Sequence, residues 1–209
     1  MGVDKMGYFA AVINLWWVNI YKESPMWGLL FLFVGLVSVW AYRRNKFLII
    51  ILILVSLLVA QVFITKTRSL TQIANDDRRL IDLRLGAYPP ITFLPIAHWL
   101  EQKNITIAST RMADSFFENL DPNQYFFANH PRERVGHIEI QKLIFIFLPF
   151  SLVGFMVLGQ KSWKLLAGNL LGLVILSIVG NNIPWGNIFL YPLLLISIDE
   201  GWRCLRKLF

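Results

Sequence analysis

The stretch FLIIILILVSLLVAQVFIT, residues 47–65, decides the class of protein, because it runs for 19 residues without a charged side chain. A helix of about 20 apolar residues crosses the roughly 30 Å of hydrocarbon in a bilayer. Three further uncharged runs, residues 26–42, 143–159 and 165–182, have similar lengths. The sequence therefore predicts an all-α, polytopic membrane protein, in which residues 26–65 form a transmembrane hairpin.

A shorter apolar segment, residues 183–198, follows the last of these runs and contains Pro184 and Pro192. As a helix it would reach about 24 Å, which is less than the hydrocarbon thickness. Extension to Trp202 would complete the crossing and place Asp199 and Glu200 at the cytoplasmic interface. We predict about five spans, with two or three of them in residues 143–209; four spans and a re-entrant segment are the alternative.

The first 25 residues combine an uncharged run with several aromatic side chains, including Trp16 and Trp17, and are interrupted by Asn14 and Asn19. Amphipathic helices with aromatic faces lie in the membrane interface. We predict an interfacial amphipathic helix over residues 1–25, and an additional span is the competing interpretation.

The distribution of charge predicts the topology. The net charge is +7, yet residues 66–142 hold ten basic and nine acidic side chains, so the excess lies elsewhere. It lies in the turns 43–46 and 161–164 and in the C-terminal tail, beside predicted spans. Basic residues in short loops mark the cytoplasmic side. We therefore expect a plasma or inner membrane protein with an extracytoplasmic loop at 66–142, and no nucleic-acid partner.

The long loop has a helical pattern of its own. Apolar spacing predicts helices over residues 68–85 and 95–103. Ser109 or Thr110 is a candidate N-cap for a third helix, residues 111–120, and the turn Asp121-Pro122-Asn123 ends it. We therefore expect the extracytoplasmic loop to be partly helical.

The end of this loop, residues 114–136, reads DSFFENLDPNQYFFANHPRERVG and mixes aromatic and cationic side chains. Such a mixture is typical of a membrane–water interface. Arg132 and Arg134, with His130 nearby, could bind a phosphate through bidentate hydrogen bonds. The alternative is that both arginines form exposed ion pairs with Glu133, which contribute little to stability.

Two acidic residues, Asp114 and Glu118, are four positions apart and share a face of the third predicted helix. They are the candidate catalytic carboxylates, and a solvated helix face is the alternative. His130 and His137 have a spacing that matches no metal-binding template, so we predict neither a metal site nor a cofactor. The absence of ionisable residues from the middle of the predicted spans also argues against a coupled transporter.

Three segments resemble a known family: FENLDPNQYFF at 117–127, Leu148-Pro149-Phe150 with the following Gly154, and the stretch from Tyr191-Pro192 to Gly201. They are similar to the late loop and last membrane helices of GT-C polyprenyl-phosphate-sugar-dependent glycosyltransferases. Two features differ: the Gly-Asp of the family is Asn129-His130 here, and an arginine before the late proline is replaced near Asn187. We find no counterpart of the many-helix catalytic N-terminal half of those enzymes within this sequence.

This resemblance implies a membrane protein that handles a lipid-phosphate-linked sugar, with polyprenyl phosphate as its lipid partner. Asp114 and Glu118 would then act as acids or bases, and His130, Arg132 and Arg134 would bind the lipid phosphate. The alternative is a non-catalytic accessory or scaffold subunit that docks on another membrane protein. The sequence leaves open whether the chain is an enzyme.

Overall fold

A computed structural model describes residues 5–64, 104–127, 142–179 and 187–208, together with positions 79, 82–83, 96 and 99. Helices dominate this part of the chain and it contains no strand, so the all-α prediction is confirmed. Its helices are α1 (Met6–Ile13), α2 (Leu15–Glu23), α3 (Pro25–Arg43), α4 (Phe47–Ile64), α5 (Asn104–Leu120), α6 (Asn123–Phe126), α7 (Leu148–Lys161), α8 (Trp163–Val179) and α9 (Tyr191–Arg206). Short 3₁₀ turns, Phe145–Phe147 and Ile188–Leu190, lead into α7 and α9.

One described helix, α3, is long and apolar enough to cross a membrane. The segment Phe145–Lys161 and α8 pass the same test only as a pair, and they meet at a bend of 112°. If this bent pair is one broken span, the described residues hold two. The apolar part of α4, Phe47–Phe63, is shorter. The five-span topology stays a prediction.

Helix α9 forms the centre of the fold. Every residue from Tyr191 to Gly201 is buried, and α1, α3 and α7 all pack against it. The helix begins at Tyr191, so Pro192 lies in its first turn, where the missing backbone N–H breaks no helical hydrogen bond. The helix ends at Arg206, which is beyond the predicted limit at Trp202.

The α7–α9 contact depends on glycine. A Cβ atom built on Gly154 would overlap the backbone carbonyl of Ser197, and one on Gly201 would overlap the carbonyl of Phe150. Ser151 and Ser197 share a buried hydrogen bond of 2.8 Å at the same crossing. Small residues let two helix backbones approach closely. The crossing therefore joins two of the three segments that carry the family resemblance.

Residues 1–25 contain two helices in place of the single helix predicted. The break is at Asn14, whose side chain accepts a hydrogen bond from the Trp17 backbone N–H (3.2 Å) and so caps α2. Ala10 and Trp16 are buried on the inner faces of the two helices, and α1 contacts α9. This segment is therefore part of the protein core as well as a candidate for the interface.

The turn between α3 and α4 contains Asn45 in the left-handed region, with φ at 53°. Asparagine tolerates this conformation better than most residues. The turn lets α4 return along α3 within three residues, which fits the predicted helical hairpin.

The third loop helix is longer than predicted. Helix α5 begins at Asn104, so Ser109 and Thr110 are not caps; both hydroxyls donate to the carbonyl of Thr106, at 2.9 Å. Its predicted end is confirmed, because α5 stops at Leu120 and the Asn123 N–H donates to the Asp121 carboxylate (2.9 Å). The helices predicted over 68–85 and 95–103 lie outside the described residues, apart from isolated positions.

Candidate functional site

A cavity of about 370 Å³ lies between α7, α8, the start of α9 and the α5–α6 corner. Its wall is almost wholly apolar, because each of these elements turns leucine or aromatic side chains toward the same space. The lining residues are Asn119, Leu120, Pro122, Tyr125, Phe126, Leu148, Ser151, Leu152, Phe155, Leu166, Asn169, Leu170, Leu173, Leu190, Leu193 and Leu194. The volume is within the range of about 300–1,000 Å³ that is usual for ligand pockets.

The cavity opens on the side of the bundle. Three of its lining residues, Leu120, Leu152 and Leu170, are exposed, with 41–51% of each residue accessible. The outer surface next to them is also apolar, since the neighbours Met156 and Leu171 are 74% and 64% exposed. An apolar ligand could therefore enter without crossing a polar rim at these positions.

One end of the cavity is built around Tyr125. Its hydroxyl donates to the backbone carbonyl of Asn119 (2.7 Å), and its backbone carbonyl accepts from the N–H of Leu143 (2.7 Å). Burial raises the pKa of the Tyr125 phenol, and the nearby carboxylates of Asp121 and Glu118 raise it further. The phenol therefore remains a neutral hydrogen-bond donor that fixes the α5–α6 corner.

Two polar side chains in the wall differ in their hydrogen bonding. Ser151 is bonded to Ser197, as described above. Asn169 is 1% exposed, and its Nδ2 donates to the carbonyl of Leu165 (2.9 Å). Its Oδ1 accepts no hydrogen bond from the described residues. A buried acceptor without a partner is unfavourable by about 1–3 kcal/mol, so this oxygen could receive a donor from a ligand.

A buried ionic cluster lies near the C-terminal end of α9. The Arg43 guanidinium donates to both carboxylate oxygens of Asp199, at 2.8 and 2.5 Å, and the Gly7 N–H donates to the same carboxylate at 2.9 Å. Glu200 accepts from Lys161 (2.9 Å) and from Arg203 (2.7 Å). The cluster therefore ties α1, α3 and α7 to α9.

That Asp199 and Glu200 lie at the cytoplasmic interface of the membrane stays a prediction, and the structure adds how they pack within the protein. They are 0% and 3% exposed, so they are part of the protein interior. The reason is that cations from other helices neutralise them, which hydropathy along one segment does not reveal.

The structure does not bring the predicted catalytic carboxylates to the cavity. Asp114 is exposed and Glu118 is half-buried on α5, and neither lines the cavity. The predicted lipid-phosphate ligands His130, Arg132 and Arg134 lie outside the described residues. Within the described part of the chain, no group of three or more His, Cys, Asp or Glu side chains could hold a metal ion.

Sequence reasoning missed Asn119 and the cavity itself. An asparagine in an uncharged helical run, Asn169, was the available signal, because a buried amide needs partners for both its oxygen and its nitrogen. No family model matches the chain, and comparison with curated proteins and with solved structures finds no significant match.

Proposed function

We propose that this chain is a polytopic integral membrane protein that binds the apolar part of a membrane lipid in the cavity between α7, α8, α9 and the α5–α6 corner. The observation that carries the proposal is the lateral mouth, where exposed Leu120, Leu152 and Leu170 join an apolar outer surface. In a bilayer this mouth would face hydrocarbon, so a lipid chain could enter from the side. A water-soluble substrate would gain little from such a wall.

The lipid class that we propose first is a lipid-phosphate-linked sugar on a polyprenyl carrier, at the outer membrane face. Two of the segments that carry the resemblance to GT-C glycosyltransferases form the α7–α9 crossing, and both contribute residues to the cavity wall. The cavity would take part of the prenyl chain. Arg132, Arg134 and His130 would bind the phosphate, and Asp114 and Glu118 would serve the transfer chemistry.

The alternative is a non-catalytic accessory subunit that presents or stabilises a lipid for a partner enzyme. It is favoured by the position of Asp114 and Glu118, which do not line the cavity. A transferase needs its base within hydrogen-bond reach of the acceptor. A subunit that only binds the lipid needs no carboxylate near the chain.

The ionic cluster supports the proposed topology. Arg43 and Lys161 come from the two basic turns, and both pair with acids near the same end of α9. Both turns and the C-terminal tail would therefore lie on the cytoplasmic side, with the loop 66–142 outside. A topology reporter fused at Gln102 tests this placement, and a cytoplasmic signal there would overturn it.

Lipid binding is tested by filling the cavity mouth. We would purify the wild type and Leu170→Trp in mild detergent and identify the retained lipids by mass spectrometry. Leu171→Trp is the matched control, because Leu171 is the exposed neighbour that does not line the cavity. We expect a retained lipid in the wild type and the control, and at least a tenfold loss in Leu170→Trp. Equal lipid content in all three proteins would rule out the cavity as the binding site.

The identity of the lipid separates the two candidates. A co-purifying polyprenyl phosphate that is lost in Arg132→Ala plus Arg134→Ala supports the glycosyltransferase-like function. A stoichiometric membrane-protein partner, without such a lipid, supports the accessory subunit.

A further inference from the structure

We infer that the cavity selects an apolar ligand that carries a neutral hydrogen-bond donor, a hydroxyl or an amide N–H, and that Asn169 Oδ1 accepts this hydrogen bond. The inference rests on the proposed lipid-binding function and names the chemical class of the group inside the cavity. It follows from the hydrogen bonding of Asn169, from the charge of the wall and from the position of Asn169 on it.

The side chain of Asn169 is held in a defined orientation. Its Nδ2 donates to the carbonyl of Leu165, one turn earlier in α8, at 2.9 Å. This bond occupies the amide nitrogen and leaves the oxygen as the group in need of a partner. Because the residue is 1% exposed and lines the cavity, that partner would come from the cavity's contents.

Two other polar groups of the wall already have hydrogen-bond partners within the protein. Ser151 already shares its hydrogen bond with Ser197, and the Tyr125 hydroxyl is committed to the Asn119 carbonyl. A ligand donor that reaches the α7–α8 side of the cavity would therefore meet the Asn169 oxygen as its acceptor.

Because the wall carries no charge, the ligand group that donates to Asn169 has to be neutral. None of the residues that line the cavity is ionisable at neutral pH. A phosphate or an ammonium inside it would lose its hydration without an opposite charge, which is strongly unfavourable. A hydroxyl loses far less, and one hydrogen bond to an amide oxygen compensates for much of that loss. The phosphate of a polyprenyl carrier would therefore stay outside this cavity, and its prenyl chain has no hydrogen-bond donor. This inference consequently favours a lipid with a hydroxyl or an amide in its apolar part over the polyprenyl carrier as the occupant of the cavity.

The test uses farnesol that carries a diazirine on its chain, photo-cross-linked to the purified protein in detergent. Unlabelled farnesol and farnesene, a hydrocarbon of similar size without the hydroxyl, serve as competitors. In the wild type we expect farnesol to compete about fivefold more effectively than farnesene, which is the effect of one neutral hydrogen bond. In Asn169→Leu this preference should disappear, while farnesene competes as well as before.

Ser177→Ala is the matched control, because Ser177 is also buried on α8 and donates to the carbonyl of Leu173 (2.7 Å), but it does not line the cavity. It should keep the preference. Asn169→Ala serves as a second variant should Asn169→Leu fail to fold, as judged by thermal unfolding.

The outcomes separate a failure of the proposed lipid-binding function from a failure of the role of Asn169. If no cross-link maps to peptides containing Leu120–Phe126 or Leu190–Leu194 and neither competitor acts, the lipid-binding function itself fails. If the cavity is labelled but farnesol and farnesene compete equally in the wild type, the cavity binds lipid and the role of Asn169 fails. Asn169 Oδ1 would then be bonded to a buried water. A preference that survives in Asn169→Leu would equally overturn the inference.

Discussion

The guanidinium of Arg43 and the carboxylate of Asp199 form a two-point ion pair, with N–O distances of 2.8 and 2.5 Å, between residues 156 positions apart. Asp199 is fully buried, and the side chain of Arg43 is 17% exposed. The Gly7 N–H donates to the same carboxylate. The pair therefore connects the C-terminal end of α3, the start of α1 and the central helix α9 at one point.

We expect Arg43→Ala to lower the free energy of unfolding by about 3–5 kcal/mol, because it leaves the Asp199 carboxylate buried without its cation. The measurement is unfolding by denaturant titration in detergent. Arg44→Ala is the control, since Arg44 is the exposed neighbour in the same turn, and it should change stability by less than about 0.5 kcal/mol.

A double variant tests whether the cost comes from the unpaired charge. Arg43→Ala with Asp199→Asn removes both charges and should recover part of the stability lost in Arg43→Ala alone. If the double variant is as unstable as the sum of the two single variants, the two residues act independently, and the ion pair is not the cause.

The glycine crossing of α7 and α9 gives a second prediction. Gly154→Ala and Gly201→Ala each place a methyl group against a backbone carbonyl, which cannot rotate away. We expect each to destabilise the protein by at least about 2 kcal/mol, because the helices must separate. The measurement is the thermal unfolding midpoint in detergent.

Gly168→Ala is the matched control for this pair. Gly168 is also inside a helix, α8, but a Cβ atom there meets nothing within 4 Å. The change should stabilise the protein by about 0.5–1 kcal/mol through helix propensity. Destabilisation of similar size in Gly168→Ala would show that glycine flexibility, and not the close approach of α7 and α9, explains the result.

Local chemistry made part of this fold predictable. The uncharged runs predicted the all-helical class, and the turn Asp121-Pro122-Asn123 predicted the end of α5. Both predictions succeeded because they depend only on residues that are close in the sequence. The start of α5 was misjudged, since Ser109 and Thr110 resemble caps but bond to the helix carbonyl of Thr106 instead. Such backbone bonds are open to any helical serine or threonine.

The centre of the fold was not predictable from one segment. The apolar segment 183–198 is short for a span and contains two prolines, yet α9, which begins inside it, is the most buried helix described. Its two acids are inside because cations neutralise them. Arg203 is a local partner at i+3, but Arg43 and Lys161 are far away in the sequence, and pairing over such distances leaves no local pattern. The cavity could not be predicted from one segment either, because its wall is formed by residues of four separate elements.

The buried phenol of Tyr125 gives a pH prediction. Burial raises its pKa above the ordinary value of about 10, while in the unfolded chain the phenol ionises near 10. Its contribution to stability is therefore fully present below pH 10 and is lost as pH rises from 10 toward the folded-state pKa. We expect Tyr125→Phe to flatten the fall in stability between pH 10 and 11.5, measured by thermal unfolding.

Tyr125→Phe should also be less stable than the wild type at pH 7, by about 1 kcal/mol, because the hydrogen bond to the Asn119 carbonyl is lost. Tyr21→Phe is a suitable control, since Tyr21 is 41% exposed. If stability falls equally steeply between pH 10 and 11.5 in the wild type and in Tyr125→Phe, the buried phenol is not the cause of that fall.

The last prediction compares two asparagines that are both 0% exposed. The side chain of one makes several hydrogen bonds, and that of the other makes none among the described residues. Asn14 Nδ2 donates to the carbonyls of Ala10 and Ala11 and to the Tyr191 hydroxyl, and its Oδ1 caps α2. Asn187, just before α9, makes no side-chain hydrogen bond among the described residues.

Leucine has the same number and branching of side-chain heavy atoms as asparagine but no polar atoms, so it tests the amide of each residue. We expect Asn14→Leu to destabilise the protein by more than about 2 kcal/mol, because a helix cap and a bond to the central helix are lost together. We expect Asn187→Leu to stabilise it by about 1–3 kcal/mol, because an amide without partners is replaced by an apolar group. Both changes are read as shifts of the thermal unfolding midpoint in detergent. Destabilisation by Asn187→Leu would mean that its amide has a partner in the membrane-embedded protein, a bound water or a polar ligand group next to Ile188–Leu190.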